Sequence, residues 1–239
     1  MKINYRTFLK AAILFLYVIL TNNIYSAYAQ KIPLNKYGLA VVNTDALYKE
    51  LVSADSNQAF VNIMSYIPGI RKDIRYATAD NFTHKVLYPY AAVYLRLPAA
   101  KALKAVQLEL NKKGLGLLIF DGYRPYSVTE MMWEIVPDDR YAADPHVGSG
   151  HNRGVAVDLT IVDLRTGKPV PMPSAYDDFT VKAHHDYAEP DSAIAANRTL
   201  LRSTMERYGF APLPTEWWHY YLKDYKLYPL MNIAFKDIK

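Results

Sequence analysis

From Ala11 to Leu20 (AAILFLYVIL) the chain is unbroken apolar, preceded by Lys2, Arg6 and Lys10 and followed by Ala27-Tyr28-Ala29. A positive stretch, a short apolar run and a small-x-small pattern together predict a secretory signal over residues 1–29, cleaved before Gln30. The run is short for a permanent bilayer span, so an uncleaved N-terminal anchor is the competing reading. No Cys follows the run, which excludes lipid attachment at a cysteine.

Beyond this segment the hydrophobic pattern changes period. Residues 30–43 read as a surface lead-in, and Thr44 can cap a helix that carries Leu47 and Leu51 on one face. The alternation in residues 72–76 (KDIRY) predicts a strand. Pro98 suits a first helical turn, Leu103, Val106 and Leu110 share a stripe, and Gly114 can end that helix. Ile194, Leu201, Met205 and Tyr208 form a second stripe, with Gly209 placed to stop it. Residues 115–120, 155–163 and roughly 217–222 read as strands, the second followed by a hairpin turn at Arg165-Thr166-Gly167-Lys168. Helices and strands alternate without a repeating βαβ rhythm. The expectation is a single α+β domain over residues 30–239, with a mainly antiparallel sheet flanked by helices.

Composition changes this picture in two ways. The full chain carries 28 Lys and Arg against 23 Asp and Glu, a formal charge of +5. Three of the basic residues and none of the acidic ones lie in residues 1–29, which leaves the mature chain near +2. Its charge is therefore no argument for a nucleic-acid or membrane partner. The chain also has no Cys. An exported protein of this sequence gains no disulfide, and any metal site must use His and carboxylates.

Three fragments carry candidate chemistry. In His151-Asn-Arg-Gly154-Val-Ala-Val-Asp158, the strand points Val155, Val157, Leu159 and Ile161 to the core. Asp158 points the other way beside the small residues Ala156 and Thr160, which leaves room to bind something. Imidazole and carboxylate are suitable zinc ligands, although for these two residues alone a surface His near a strand Asp is the more common explanation. In Glu216-Trp217-Trp218-His219, a carboxylate precedes a His by three residues, as a base and a ligand of one metal do. Strict alternation would separate them, so Pro212 and Pro214 are expected to keep the chain irregular at Glu216 before the strand begins. In Asp121-Gly122-Tyr123-Arg124-Pro125, an Arg follows a buried strand, either to face an oxyanion or to cap nearby carbonyls. His184, His185, His84 and His146 are expected to be structural. The 21 tyrosines are read as packing residues.

The motifs Asp73-Ile-Arg-Tyr-Ala-Thr-Ala-Asp-Asn-Phe82, Asp121-Gly-Tyr-Arg-Pro125, Ser149-Gly-His-Asn-Arg-Gly154 and Glu216-Trp-Trp-His219 occur in order across nearly the whole mature chain. In this the sequence resembles the zinc D-alanyl-D-alanine dipeptidases, relatives of the D,D-carboxypeptidases and of the Hedgehog signalling domain. The resemblance implies a Hedgehog/D,D-peptidase-like fold and one Zn2+ per chain, held by His151, Asp158 and His219. It further implies Glu216 as catalytic acid/base, Arg124 as transition-state stabiliser, and Tyr76, Ser149 and Asp177 as residues that hold a small dipeptide. Asp177 would pair the free substrate ammonium. Two departures stand near that end of the pocket: Ala175-Tyr176 precedes Asp177 where the family often has Pro-Phe, and Gly150 stands where relatives can carry a larger residue. The neighbouring Asp178 competes with Asp177 for the role.

The expected activity is hydrolysis of D-alanyl-D-alanine in a periplasmic or secreted setting, in cell-wall peptide salvage. The alternatives are a D,D- or L,D-carboxypeptidase acting on longer stem peptides, or a non-catalytic binding module that keeps zinc for structure. No stable membrane insertion is expected after signal cleavage, and no pattern assigns an oligomeric state.

Overall fold

The computed structural model describes residues 32–238, so the expected signal segment and its cleavage point lie outside the described residues. In chain order the elements are β1 (Val41–Val42), α1 (Asp45–Ala54), β2 (Phe60–Asn62), α2 (Ile63–Tyr66), β3 (Arg71–Lys72), β4 (Tyr94–Arg96) and α3 (Leu97–Asn111). They continue as β5 (Leu115–Asp121), α4 (Tyr126–Ile135), β6 (Ala156–Asp163), α5 (Ser192–Arg207), β7 (Phe210–Leu213), β8 (Glu216–Leu222) and β9 (Leu230–Met231). No helix among the described residues is long and apolar enough to cross a membrane.

A five-stranded sheet in the order β3-β5-β6-β8-β7 forms the centre. Only β3–β5 is parallel; β5–β6, β6–β8 and β7–β8 are antiparallel. This is the expected α+β architecture. Helices α3 and α5 pack on the sheet and on each other, joined where Tyr208 Oη donates to Glu109 Oε2 at 2.8 Å. Leu103, Val106 and Leu110 of α3 and Leu201 and Met205 of α5 are fully buried, as their stripes predict. Asp191 caps α5 by accepting from Ala193 N and Ile194 N, and Thr44 caps α1 by accepting from Leu47 N. Gly114 and Gly209, with φ of +72° and +92°, follow the two long helices where an L-residue is strained.

Four local expectations need correction, and one helix went unforeseen. The strand expected at 72–76 ends at Lys72, because the chain turns into a short 3-10 segment at Arg75–Ala77. The lead-in does not stay on the surface: β1 pairs in parallel with β9, and Val41 and Val42 are buried. The face of β6 that carries Asp158 is buried as fully as the Val157–Ile161 face, because residues between β6 and α5 cover it. Irregularity near Glu216 lies inside the hairpin rather than before it: Glu216 already begins β8, and the β7–β8 register shifts between Pro212 and Leu213. Finally, α4 had no sequence signature. It starts at Pro125 without a side-chain cap of its own, and Asn232 Oδ1 accepts from Ser127 N at 3.0 Å, a cap supplied from 105 residues away.

Two residues behind the site give direct tests. Gly154 has a φ of +71°, and a Cβ there would lie 2.2 Å from the Phe60 ring. Gly154→Ala is expected to cost at least about 2 kcal/mol, read as a lowered urea midpoint. Both ring nitrogens of His185 are buried without a hydrogen-bond partner, and burial, then Arg202 and Arg198, pushes its pKa down to about 4. The fold thus keeps His185 neutral while the unfolded chain protonates below the usual His range. Stability is expected to fall by about 2 kcal/mol as pH drops from 6.5 towards 4. Comparing urea midpoints at pH 7 and 4.5 tests this, since His185→Phe should lose that part of the pH dependence.

Candidate active site

The first His sits in a turn that its neighbours build. Ser149 Oγ accepts from His151 N at 3.1 Å and from Asn152 N at 3.3 Å. Gly150 is obligatory here, since a Cβ would stand 2.9 Å from the Ala156 Cβ; the missing side chain serves the close approach of turn and strand. His151 Nδ1 lies 2.7 Å from the Gly122 carbonyl oxygen. That carbonyl accepts the Nδ1 proton, so Nε2 presents its lone pair to the interior.

Asp158 and His219, 61 residues apart, are direct cross-strand partners in the β6–β8 register. Asp158 Oδ1 lies 2.9 Å from His219 Nδ1 and 3.3 Å from His151 Nε2, and the two imidazole nitrogens are 3.1 Å apart. Ligand atoms bound about 2.05 Å from a tetrahedral ion stand about 3.3 Å from one another. The observed edges match that spacing. One carboxylate oxygen and two imidazole nitrogens converging this closely fit a divalent cation, and among the described residues they form the one cluster of this kind. Burial opposes the Asp158 charge, but His151 and His219 hold its carboxyl below the ordinary range.

Glu216 Oε2 lies 3.8 Å from His219 Nδ1. The register shift in the β7–β8 hairpin is what lets Glu216 and His219 face the same cleft. Desolvation pushes the Glu216 carboxyl up to about 7, Asp158 and Asp177 adding to it and His219 and Arg124 opposing. Such a group can both take and return a proton near neutral pH.

Arg124 is held by a carboxylate three residues earlier. Its Nε and Nη2 donate to Asp121 Oδ2 at 3.1 and 2.8 Å, while Asp121 Oδ1 accepts from Tyr88 Oη at 2.7 Å and Gly122 N at 2.9 Å. The guanidinium stands 5.2 Å from the centre of the Tyr76 ring. Burial works against its charge, and Asp121 together with Tyr88, Tyr76 and Asp158 more than offsets this, holding Arg124 firmly cationic.

On the opposite wall, Tyr76 Oη donates to Asp177, 3.3 and 3.2 Å from its two oxygens. Asp177 adopts a φ of +60°, a left-handed conformation that Asp tolerates and that concentrates at functional sites. Desolvation first, then the Asp158 charge, pushes its carboxyl up to about 8, so it is poised to ionise when a cation arrives. Asp178 accepts from Thr180 N, and of the two neighbours Asp177 lines the cleft.

Tyr76, Arg124, Ser149, His151, Asp158, Asp177, Glu216 and His219 thus line one cleft of about 280 Å³, at the small end of ligand pockets. Every residue expected at the site is there. Sequence reasoning gave no role to Asp121, Tyr88 or Asn152. Asn152 Nδ2 donates to the Arg124 carbonyl and to Thr129 Oγ1, and its Oδ1 accepts from Ser149 N. The spacing of Asp121 and Arg124 was the one available signal; the other two partners are set by packing.

A buried two-His, one-Asp cluster beside a proton-carrying carboxyl and a fixed guanidinium has the layout for metal-assisted hydrolysis. Residues 56–237 match the peptidase family described as D-ala-D-ala dipeptidase, and the chain belongs to that family. It is 35% identical over 175 residues to the D-alanyl-D-alanine dipeptidase of Escherichia coli (strain K12), covering 73% of this chain and 90% of that one. It is 38% identical to the protein of that name from Streptomyces coelicolor and 35% identical to that from Enterococcus faecalis. Each of these two matches covers 69% of this chain and 92% of the relative.

The Asp121–Arg124 pair predicts an asymmetry in stability. Asp121→Ala leaves a buried guanidinium uncompensated and is expected to cost about 3 kcal/mol. The double variant Asp121→Ala/Arg124→Met should recover part of that loss in urea titrations.

Proposed function

We propose that the mature chain is an exported zinc peptidase that hydrolyses D-alanyl-D-alanine to two molecules of D-alanine, in cell-wall peptide salvage. The observation that carries this reading is that Glu216 and Asp177 face one small cleft together with the three converging ligand atoms. The names of the relatives support the substrate, and the signal pattern of residues 1–29 supports export.

His151 Nε2, Asp158 Oδ1 and His219 Nδ1 would hold the zinc ion, which when bound acidifies water and polarises a carbonyl group. Glu216 takes a proton from the attacking water and returns it to the departing amine, its carboxyl being tuned near neutrality for both transfers. Arg124, kept cationic by Asp121, offsets the negative charge that grows on the scissile carbonyl oxygen. Asp177, steadied by Tyr76, receives the substrate ammonium. The Ser149 oxygen already accepts from two backbone amides, so its hydroxyl proton is free to donate to the dipeptide.

The position of Asp177 favours a dipeptidase over a carboxypeptidase. A carboxylate on the cleft wall rewards a free ammonium one residue before the scissile bond, and a longer chain would leave it unpaired. Glu216 and Arg124 argue against a purely structural zinc, which needs neither.

Protein comprising residues 30–239 and loaded with zinc should release D-alanine from D-Ala-D-Ala, and a chelator should abolish the release. Glu216→Gln is expected to lower kcat by about 10³-fold while bound zinc, measured by elemental analysis, stays at one per chain. Asp177→Asn should raise KM by about 10-fold or more through loss of a charged hydrogen bond. Cleavage of stem pentapeptides in preference to the dipeptide would overturn the reading. N-terminal sequencing of the exported protein should begin at Gln30.

A further inference from the structure

The two oxygens of Asp158 are treated differently. Oδ1 faces His151 and His219, whereas Oδ2 accepts from the Tyr176 hydroxyl at 3.1 Å. The same hydroxyl lies 3.2 Å from the Tyr76 hydroxyl, which in turn donates to Asp177. Tyr176 is not a wall of the cleft. Its ring stacks on Phe120 (centroids 4.4 Å apart, planes at 21°), meets Trp218 edge-on at 5.5 Å, and lies 6.3 Å from the Tyr76 ring. Aromatic neighbours on three sides hold the phenol against rotation.

We propose that Tyr176 is a positioning residue: its hydroxyl caps Asp158 Oδ2 so that only Oδ1 is offered to the metal, while its clamped ring holds the adjacent Asp177 at the far end of the cleft. This rests on the reading of the site as a zinc peptidase centre. A carboxylate rotates readily about its last bond, and an uncapped Oδ2 competes with Oδ1 for the ion or draws in water. A phenol has one proton to give, and a carboxylate is a stronger acceptor than another phenol, so that proton goes to Oδ2. The carboxylate plane is then fixed and the ligand oxygen selected. Two consecutive residues thereby fork, Tyr176 to the ligand and Asp177 to the ammonium position. Two hydrogen bonds, Tyr176 to Asp158 and Tyr76 to Asp177, and the 3.2 Å contact between the two phenol oxygens link the two ends. The departure at 175–176 noted in the sequence thus supplies a hydroxyl that phenylalanine lacks.

Tyr176→Phe removes one oxygen and leaves the stacking surface. Wild-type and variant proteins should be compared for zinc affinity by competition with a chromophoric chelator, and for the visible spectrum of the cobalt-substituted protein. Steady-state kinetics at saturating zinc and thermal melting of the metal-free proteins complete the comparison. The variant is expected to bind zinc about 10-fold more weakly, with an altered cobalt spectrum and a lower kcat. Its metal-free melting temperature should stay within about 2 °C of wild type. Equal zinc affinity and an unchanged cobalt spectrum in the two proteins overturn the inference alone. A wild-type protein that takes up no zinc and leaves D-Ala-D-Ala intact overturns the reading of the site, and this inference with it.

Discussion

Four buried or half-buried carboxyl groups, Asp121, Asp158, Asp177 and Glu216, gather in or behind one cleft against the Arg124 guanidinium, with a fifth, Asp139, exposed on its lining. Desolvation first, and the neighbouring carboxylates after it, push the Glu216 and Asp177 carboxyls upward. With all four ionised the cluster carries three negative charges in excess. A divalent ion offsets two of these charges, and the ammonium of the proposed dipeptide, a zwitterion overall, would answer the local negative charge at Asp177. The same excess disfavours a neutral or anionic group at the Asp177 end.

The scaffold exists to hold that imbalance. Asp158 and His219 are locked by adjacent antiparallel strands, and His151 by a turn whose outgoing end is tied from below. Arg96 is fully buried among carbonyls: Nε donates to Arg153 O at 2.7 Å, Nη1 to Gln58 O at 2.6 Å and Nη2 to Pro229 O at 3.4 Å. Its guanidinium also sits between the rings of Phe60 and Tyr228. One side chain therefore joins three loops behind the ligand turn. Desolvation lowers its pKa to about 10, still far above neutrality, so the tie keeps its charge. With no Cys in the chain, such polar ties and the aromatic core do the work that disulfides do in many exported domains.

The cleft separates general from particular features. Ligand geometry, Glu216 and the Asp121–Arg124 pair are what hydrolysis of any small amide needs. In the proposed reading, Asp177 with Tyr76 and Tyr176 sets which amide fits. Asp177 and Tyr176 lie on the long connection between β6 and α5 and Tyr76 in the short 3-10 segment between β3 and β4, where the left-handed backbone of Asp177 can aim a side chain that a strand would point elsewhere.

The chain by itself determined what is local or periodic. The stripes of α3 and α5, the glycines that stop them, the alternation of β6 and the hydrophobic run of β5 follow from side-chain spacing against a helical or pleated backbone. The His, Asp, Glu and Arg types of the cleft suited hydrolysis at a metal, but each fragment was ambiguous alone; the order of the motifs and the family resemblance brought them together, and Tyr76, Ser149 and Asp177 came from the resemblance alone. The tertiary structure decided whatever depends on partners distant in sequence. Asn232 caps α4, β9 draws in β1, and the register shift in the β7–β8 hairpin turns Glu216 and His219 to one cleft. The left-handed backbone at Asp177 selects it over Asp178, and the Asp121 and Tyr176 contacts fix Arg124 and Asp158. The deciding energy is a hydrogen bond, a packing contact or a backbone angle set by the assembled fold, across separations from three residues (Asp121 and Arg124) to 105 (Ser127 and Asn232), and none of these leaves a period in the sequence to read.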